Sequence, residues 1–157
     1  GSQYHEDFAV LEKQELLQRG AVVVSDNLLR TGAPRFLWHV TSAEGGYLTK
    51  VVQTHEVASM AEDWMGVSVA ANLPAVRRRE GAAEQARPPP RELLELHSAS
   101  ERLRERVIGA GGRSAGSLTE ERAAFAERMR QAMARLGVTA ISSGADGRQT
   151  ASHAAAD

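Results

Sequence analysis

The sequence predicts an α/β fold built on a small sheet of three strands. An apolar, β-branched run at 21–25 follows a helical pattern after a short connection, which is the arrangement of an αβ unit. Residues 47–57 are rich in β-branched side chains, and residues 65–70 alternate apolar and small or polar ones. With a helix or two, these strands make a partial sheet whose inner edge lacks a neighbour.

The first αβ unit has recognisable boundaries. Residues 4–18 are predicted to be a helix that Arg19-Gly20 ends, with acidic side chains in its first turn. The strand 21–25 is bounded by Gly20 and continues into a polar loop. Pro34 suits the first position of a short helix at about 35–40, because its missing N–H would have no partner there.

The other two strands form a hairpin-like unit. Gly45-Gly46 marks a turn before the strand 47–57, and residues 58–64 are expected to connect it to the strand 65–70. We therefore assign residues 1–71 to one α/β unit.

The composition changes after residue 71. Residues 72–90 contain an Arg triplet and a Pro triplet and are predicted to be a linker. Residues 91–137 are predicted to be a two-helix appendage: the first helix spans about 91–108, and Ser117 with Glu120 forms a capping box for the second. The two apolar stripes can pack against each other or against the sheet. Residues 138–157 are predicted to be a disordered tail, because they are mostly small and polar.

Composition excludes several classes of function. The 157 residues carry a net charge of −1, which argues against a nucleic-acid partner bound by bulk electrostatics. Cysteine is absent, so there are no disulfides, thiolate metal sites or Cys nucleophiles; this is compatible with an intracellular location. The apolar runs fall far short of about 18 residues, so no membrane span is encoded.

The polar tripeptide Ser25-Asp26-Asn27 follows the first predicted strand. In open α/β sheets, ligands bind at the carboxyl ends of strands. Asp26 offers a carboxylate oxygen and Asn27 an amide oxygen, and both are hard ligands that suit Mg²⁺ or Ca²⁺. The alternative is an ordinary turn, because Asp and Asn side chains bond nearby backbone groups.

The residues around this tripeptide match a longer pattern: a helix ending in Leu-Leu, then Arg/Lys-Gly, an apolar strand, Asp-Asn-Val and a Pro-Gly-x-Pro-x-Phe-Leu loop. The matching positions, in one ungapped register, are Leu16, Leu17, Gly20, Asp26, Asn27, Gly32, Pro34, Phe36 and Leu37. The stretch 12–40 thereby resembles the carboxyl-terminal half of the catechol O-methyltransferase family. A looser resemblance continues to Val69 through Asp63 and Met65 and stops near Ala71, so it covers a little under half of the chain.

The resemblance implies the last three strands of a partial doubly wound, Rossmann-like methyltransferase sheet, with 65–70 central and antiparallel. It implies an enzyme that transfers a methyl group from S-adenosylmethionine to a catechol-like hydroxyl with Mg²⁺. Asp26 and Asn27 are the implied metal ligands, and Asn27 can also face the substrate. The S-adenosylmethionine half has no counterpart here, so we expect a fragment that is inactive alone and can associate through its open sheet edge.

The chain departs from the family pattern at two positions. The family's catalytic lysine falls at Gly1, so no catalytic residue is assigned; His5 is nearby, but an exposed histidine at a helix start is the simpler interpretation. A family glutamate that binds the second catechol hydroxyl aligns nearest to Val57. Glu56 is adjacent, but a one-residue shift in a strand reverses the face of the sheet. The acceptor is therefore described only as catechol-like.

A second function of a different class stays open. The helical pair can carry a non-catalytic interaction function, with the methyltransferase remnant as its scaffold.

Overall fold

The computed structural model describes residues 3–56, 59–71, 88–109 and 115–142. Its described part is a mixed α/β structure with four helices and a four-stranded mixed sheet. In chain order the elements are α1 (Tyr4–Lys13), β1 (Val22–Ser25), α2 (Pro34–Thr41), a single 3₁₀ turn (Ala43–Gly45), β2 (Tyr47–His55), β3 (Glu62–Ala70), α3 (Arg91–Gly109), α4 (Ala115–Arg135) and β4 (Ile141–Ser142). No helix in the described residues is long and apolar enough to cross a membrane.

The sheet has the order β1-β3-β2-β4. β3 lies between β1 and β2 and is antiparallel to both, as predicted for residues 65–70. The last rung of the β1–β3 ladder joins Ser25 to Gly66. The two-residue strand β4 was not predicted; it pairs in parallel with Val52 and Gln53 of β2. Ile141 and Ser142, expected to be part of a disordered tail, therefore form the fourth strand of the sheet.

Other boundaries also differ from the predictions. Helix α1 ends at Lys13 rather than at residue 18, because Glu15 takes a left-handed backbone conformation with φ of 53°. Strand β2 ends at His55 rather than at residue 57, and β3 begins at Glu62 rather than at residue 65, so the connection is 56–61 instead of 58–64. Most of the predicted linker (72–87) and the tail beyond Ser142 lie outside the described residues.

One buried cluster joins the sheet to all four helices. It includes Phe8 from α1, Phe36 and Leu37 from α2, Val51 and Trp64 from the sheet, and, from the last two helices, Leu93, Leu96, Leu103, Phe125, Met129 and Met133. The rings of Phe8 and Phe36 meet edge to face at 5.2 Å. The apolar stripes of α3 and α4 thus pack against each other and also against the core of the sheet domain.

The opposite face of the sheet carries apolar side chains that the described core leaves uncovered. Cross-strand partners share a face, so Val22, Val69 and Leu48 form one row, and Val24 and Val67 lie in the next. Val22, Val24, Leu48 and Ile141 are 60, 62, 68 and 48% exposed. Within the described residues, none of these side chains belongs to the buried cluster or to the partly buried groups packed on it. Among the described residues, the apolar side chains on this bare face are Val22, Val24, Leu48, Val52, Met65, Val67, Val69 and Ile141.

Candidate functional site

Asp26 and Asn27 directly follow β1 at its carboxyl end, and both are exposed. The backbone of Asn27 is left-handed, with φ of 55°. Asn tolerates this conformation because its short amide can bond locally. The turn therefore occurs where the sequence predicts it, and it presents both side chains to solvent.

The two side chains contact each other. The backbone N–H of Asn27 donates to Oδ1 of Asp26 at 2.8 Å, and the Asn27 amide nitrogen lies 3.5 Å from Oδ2. With the amide nitrogen turned towards Asp26, Oδ1 of Asn27 is the atom left to face a ligand. Both contacts are local to the turn, and they leave carboxylate lone pairs free on both Asp26 oxygens.

The donor atoms fit a hard divalent cation, but they form only part of a site. Mg²⁺ prefers six oxygen ligands and commonly keeps several waters beside one or two protein carboxylates. Asp26 and Asn27 supply two oxygens of this kind. Within the described residues, no group of three or more His, Cys, Asp or Glu side chains is arranged to hold a metal. Further ligands would have to come from water, from an acceptor or from other residues.

The loop after Asn27 is held by Asp63, a residue to which the sequence analysis gave no role. Asp63 belongs to β3, and its side chain is 2% exposed. The backbone N–H groups of Leu29, Arg30 and Trp64 donate to its Oδ1 at 2.9, 3.2 and 2.7 Å. The sequence gives no clear signal for this role, because Asp63 stands beside a second acidic residue, Glu62, at the start of the strand.

Burial raises the pKa of the Asp63 carboxyl, although its three backbone donors act in the opposite direction. Its Oδ2 is buried without a hydrogen-bond partner among the described residues. Burial also raises the pKa of the Tyr4 hydroxyl, and the charges of Asp26 and Asp63 raise it further.

Glu56, the residue next to the expected substrate-binding position, is engaged in ion pairs. Its Oε2 lies 3.3 Å from Nη1 of Arg30 and accepts from Ser59 at 2.7 Å, and its Oε1 pairs with Arg122 of α4. Burial opposes ionisation, but Ser59, Arg122 and Arg30 outweigh it and lower the pKa of Glu56. Both carboxylate oxygens have partners, so Glu56 links α4 to the β2–β3 connection. Val57 lies outside the described residues.

The side chain of His5 packs against another histidine instead of being fully exposed. Its ring meets that of His97 on α3 edge to face at 4.7 Å. His97 is buried, and burial lowers its pKa, with Glu101 and Glu6 opposing the shift and Arg35 supporting it. This ring contact packs α1 against α3, which favours a structural role for His5 over the role of a catalytic base.

No protein-family model matches this chain, and no curated protein matches it either.

Proposed function

We propose that this chain is the carboxyl-terminal part of a Mg²⁺-dependent O-methyltransferase that acts on a catechol-like hydroxyl with S-adenosylmethionine as methyl donor. The observation that carries the proposal is the exposed Asp26-Asn27 pair at the carboxyl end of β1, beside a central antiparallel strand. This is where open α/β sheets bind their ligands, and the residue types are hard oxygen donors.

The bare sheet face supports the same proposal. Doubly wound sheets have helices on both faces, whereas the helices of the described residues pack into a cluster on one face only. An apolar face of this kind fits a sheet that belongs to a larger doubly wound domain. No residue of this chain is assigned to S-adenosylmethionine.

The chain's own contribution would be to orient the acceptor. The Asp26 carboxylate would supply negative charge to the cation, and the Asn27 amide oxygen would supply a second ligand at the position that the acceptor hydroxyls approach. The chemistry supplied by bound Mg²⁺ is acidification of a coordinated hydroxyl, together with alignment for in-line transfer.

The alternative of a helical interaction module has less support. Most apolar residues of the α3 and α4 stripes, among them Leu96 and Met133, are buried within this chain, although Leu136 is exposed. A surface for an external partner would require such a stripe to be free.

The first test is Mn²⁺ binding, measured by water proton relaxation on the isolated chain. The Asp26→Asn variant is compared with Glu44→Gln, which removes the same charge from an exposed turn at the opposite end of the sheet. We expect Asp26→Asn to weaken binding at least about tenfold and Glu44→Gln to leave it unchanged. Equal affinities for the three proteins would contradict the metal assignment.

The second test uses the longer protein that contains this chain. Turnover of catechol-like acceptors by the Asp26→Ala variant is followed across a Mg²⁺ titration. We expect turnover at limiting Mg²⁺ to fall by orders of magnitude, since the variant loses the charged ligand. Unchanged turnover would contradict the metal assignment and leave Asp26-Asn27 as an ordinary turn.

A further inference from the structure

The backbone on either side of the Asp26-Asn27 pair is fixed to β3, and the pair bridges the two attachments. Before the pair, Ser25 occupies the last rung of the β1–β3 ladder, opposite Gly66. After it, the backbone N–H of Leu28 donates to the carbonyl of Trp64 at 3.0 Å. Between these points, Asp26 and Asn27 make local contacts with each other.

The second attachment depends on one carboxylate. The next two N–H groups, those of Leu29 and Arg30, donate to Oδ1 of Asp63. Three consecutive loop N–H groups thus bond to two consecutive residues of β3. Leu28 and Leu29 are fully buried beneath this contact, so the loop packs as well as bonds.

We infer that Asp63 is a positioning residue for the candidate metal pair: its carboxylate fixes the loop at Leu29 and Arg30 and thereby sets the direction in which the Asp26 and Asn27 oxygens point. The inference rests on the proposed function for the identity of the ligand, but the geometry of the loop stands without it. Asp63 acts through the backbone and touches no substrate.

The chemistry of the contact favours a carboxylate at this position. One oxygen accepts three N–H groups, and an ionised oxygen forms stronger hydrogen bonds than a neutral one. The same charge is costly here, because Oδ2 is buried without a partner among the described residues. A neutral isostere relieves this cost but weakens the attachment of the loop. Global stability and loop geometry should therefore respond differently to the same substitution.

Gly66 provides an independent route to the same geometry. A Cβ at this position would lie 2.7 Å from Oγ of Ser25 and 2.9 Å from Cδ1 of Leu28, one residue on each side of the pair. Gly66→Ala should therefore displace Ser25 and Leu28 from β3 while leaving the Asp63 side chain unchanged.

The experiment compares Asp63→Asn, Asp63→Ala and Gly66→Ala with the unmodified chain and with Val51→Ala. Val51 is a core residue of β2, so Val51→Ala is the control for general loss of stability. The readouts are amide hydrogen exchange at Leu29 and Arg30, the amide chemical shifts of Asn27, the thermal midpoint, and Mn²⁺ affinity.

We expect Asp63→Asn to keep its thermal midpoint within about 5 °C while exchange at Leu29 and Arg30 accelerates at least about tenfold. The Asn27 signals should shift, and Mn²⁺ affinity should fall by at least about tenfold. Gly66→Ala should reproduce the shift of the Asn27 signals. Val51→Ala should lower the thermal midpoint and leave the Asn27 signals in place.

Unchanged Asn27 signals in folded Asp63→Asn would overturn the inference, as would equal changes in Val51→Ala. If Asp63→Ala does not fold, the role of Asp63 is decided by Asp63→Asn, since asparagine keeps the shape of the aspartate side chain and one acceptor oxygen. If the unmodified chain binds no Mn²⁺, the proposed function fails on its own, while exchange and chemical shifts still decide the role of Asp63.

Discussion

Gly32 is the position at which the packing of α4 on the loop before α2 can be tested most directly. Its φ is 60°, and a Cβ there would lie 2.5 and 2.7 Å from Cε1 and Cζ of Phe125. Carbon atoms in contact are ordinarily about 3.5–4.0 Å apart, so the Phe125 ring would have to move by about 1 Å. Phe125 is buried, and such a movement disturbs the core.

The expected cost of Gly32→Ala has two parts. Placing an alanine at positive φ costs about 1–2 kcal/mol, and overpacking a core costs about 1–3 kcal/mol, so we expect a loss of about 2–5 kcal/mol in the free energy of unfolding. Gly137→Ala is the matched control, because Gly137 has φ of 78° and nothing within 4 Å of its added Cβ. It should lose only the backbone part.

Urea unfolding followed by far-ultraviolet circular dichroism measures both variants, and a double-mutant cycle with Phe125→Leu separates the two parts. In the Phe125→Leu background, Gly32→Ala should cost about 1–3 kcal/mol less, because the ring atoms that it meets are gone. Equal costs at Gly32 and Gly137, or no relief from Phe125→Leu, would refute the packing of α4 on this loop.

Three further predictions concern ionisable groups. Asp26→Ala should change the free energy of unfolding by no more than about 0.5 kcal/mol, since the side chain is exposed; a larger change in urea unfolding would indicate a folding role. The folded-state pKa of Glu56 is lowered, so its ion pairs stabilise the protein fully above the ordinary glutamate pKa. This stabilisation is lost as pH falls through the folded-state pKa. The unmodified chain should therefore have a higher thermal midpoint than Glu56→Gln near neutral pH, and the difference should shrink on acidification. The folded-state pKa of His97 is lowered, so stability should fall as pH drops below the ordinary histidine pKa of about 6.5. A His97→Gln variant whose stability has the same pH slope there would contradict this.

Local patterns predicted the strands well and their partners less well. The β-branched run 21–25 and the alternation at 65–70 both correspond to strands, and the central place of β3 came from the resemblance rather than from periodicity. The strand Ile141–Ser142 could not be predicted, because two residues carry no period. It forms only because β2 offers an edge.

The same reasoning explains what was missed at the site. Asp26 and Asn27 are adjacent in sequence, so their turn could be predicted from residue type. Asp63 lies 34 residues beyond Leu29, to which it bonds, and no local rule connects them. Likewise, the apolar stripes of α3 and α4 showed that one side of each helix would be buried, but a stripe does not identify the surface that buries it.

The bare face of the sheet has a consequence for calorimetry. Side chains such as Val22, Val24 and Leu48 are already largely hydrated in the folded chain, so they add little to the apolar surface that becomes hydrated on unfolding. The heat capacity change of unfolding should therefore fall below the usual value of about 12–15 cal/mol/K per residue, and the stability curve should be correspondingly flat with temperature. A molecule that covered this face would remove water from it, and its binding would be marked by a negative heat capacity change whatever the sign of its enthalpy.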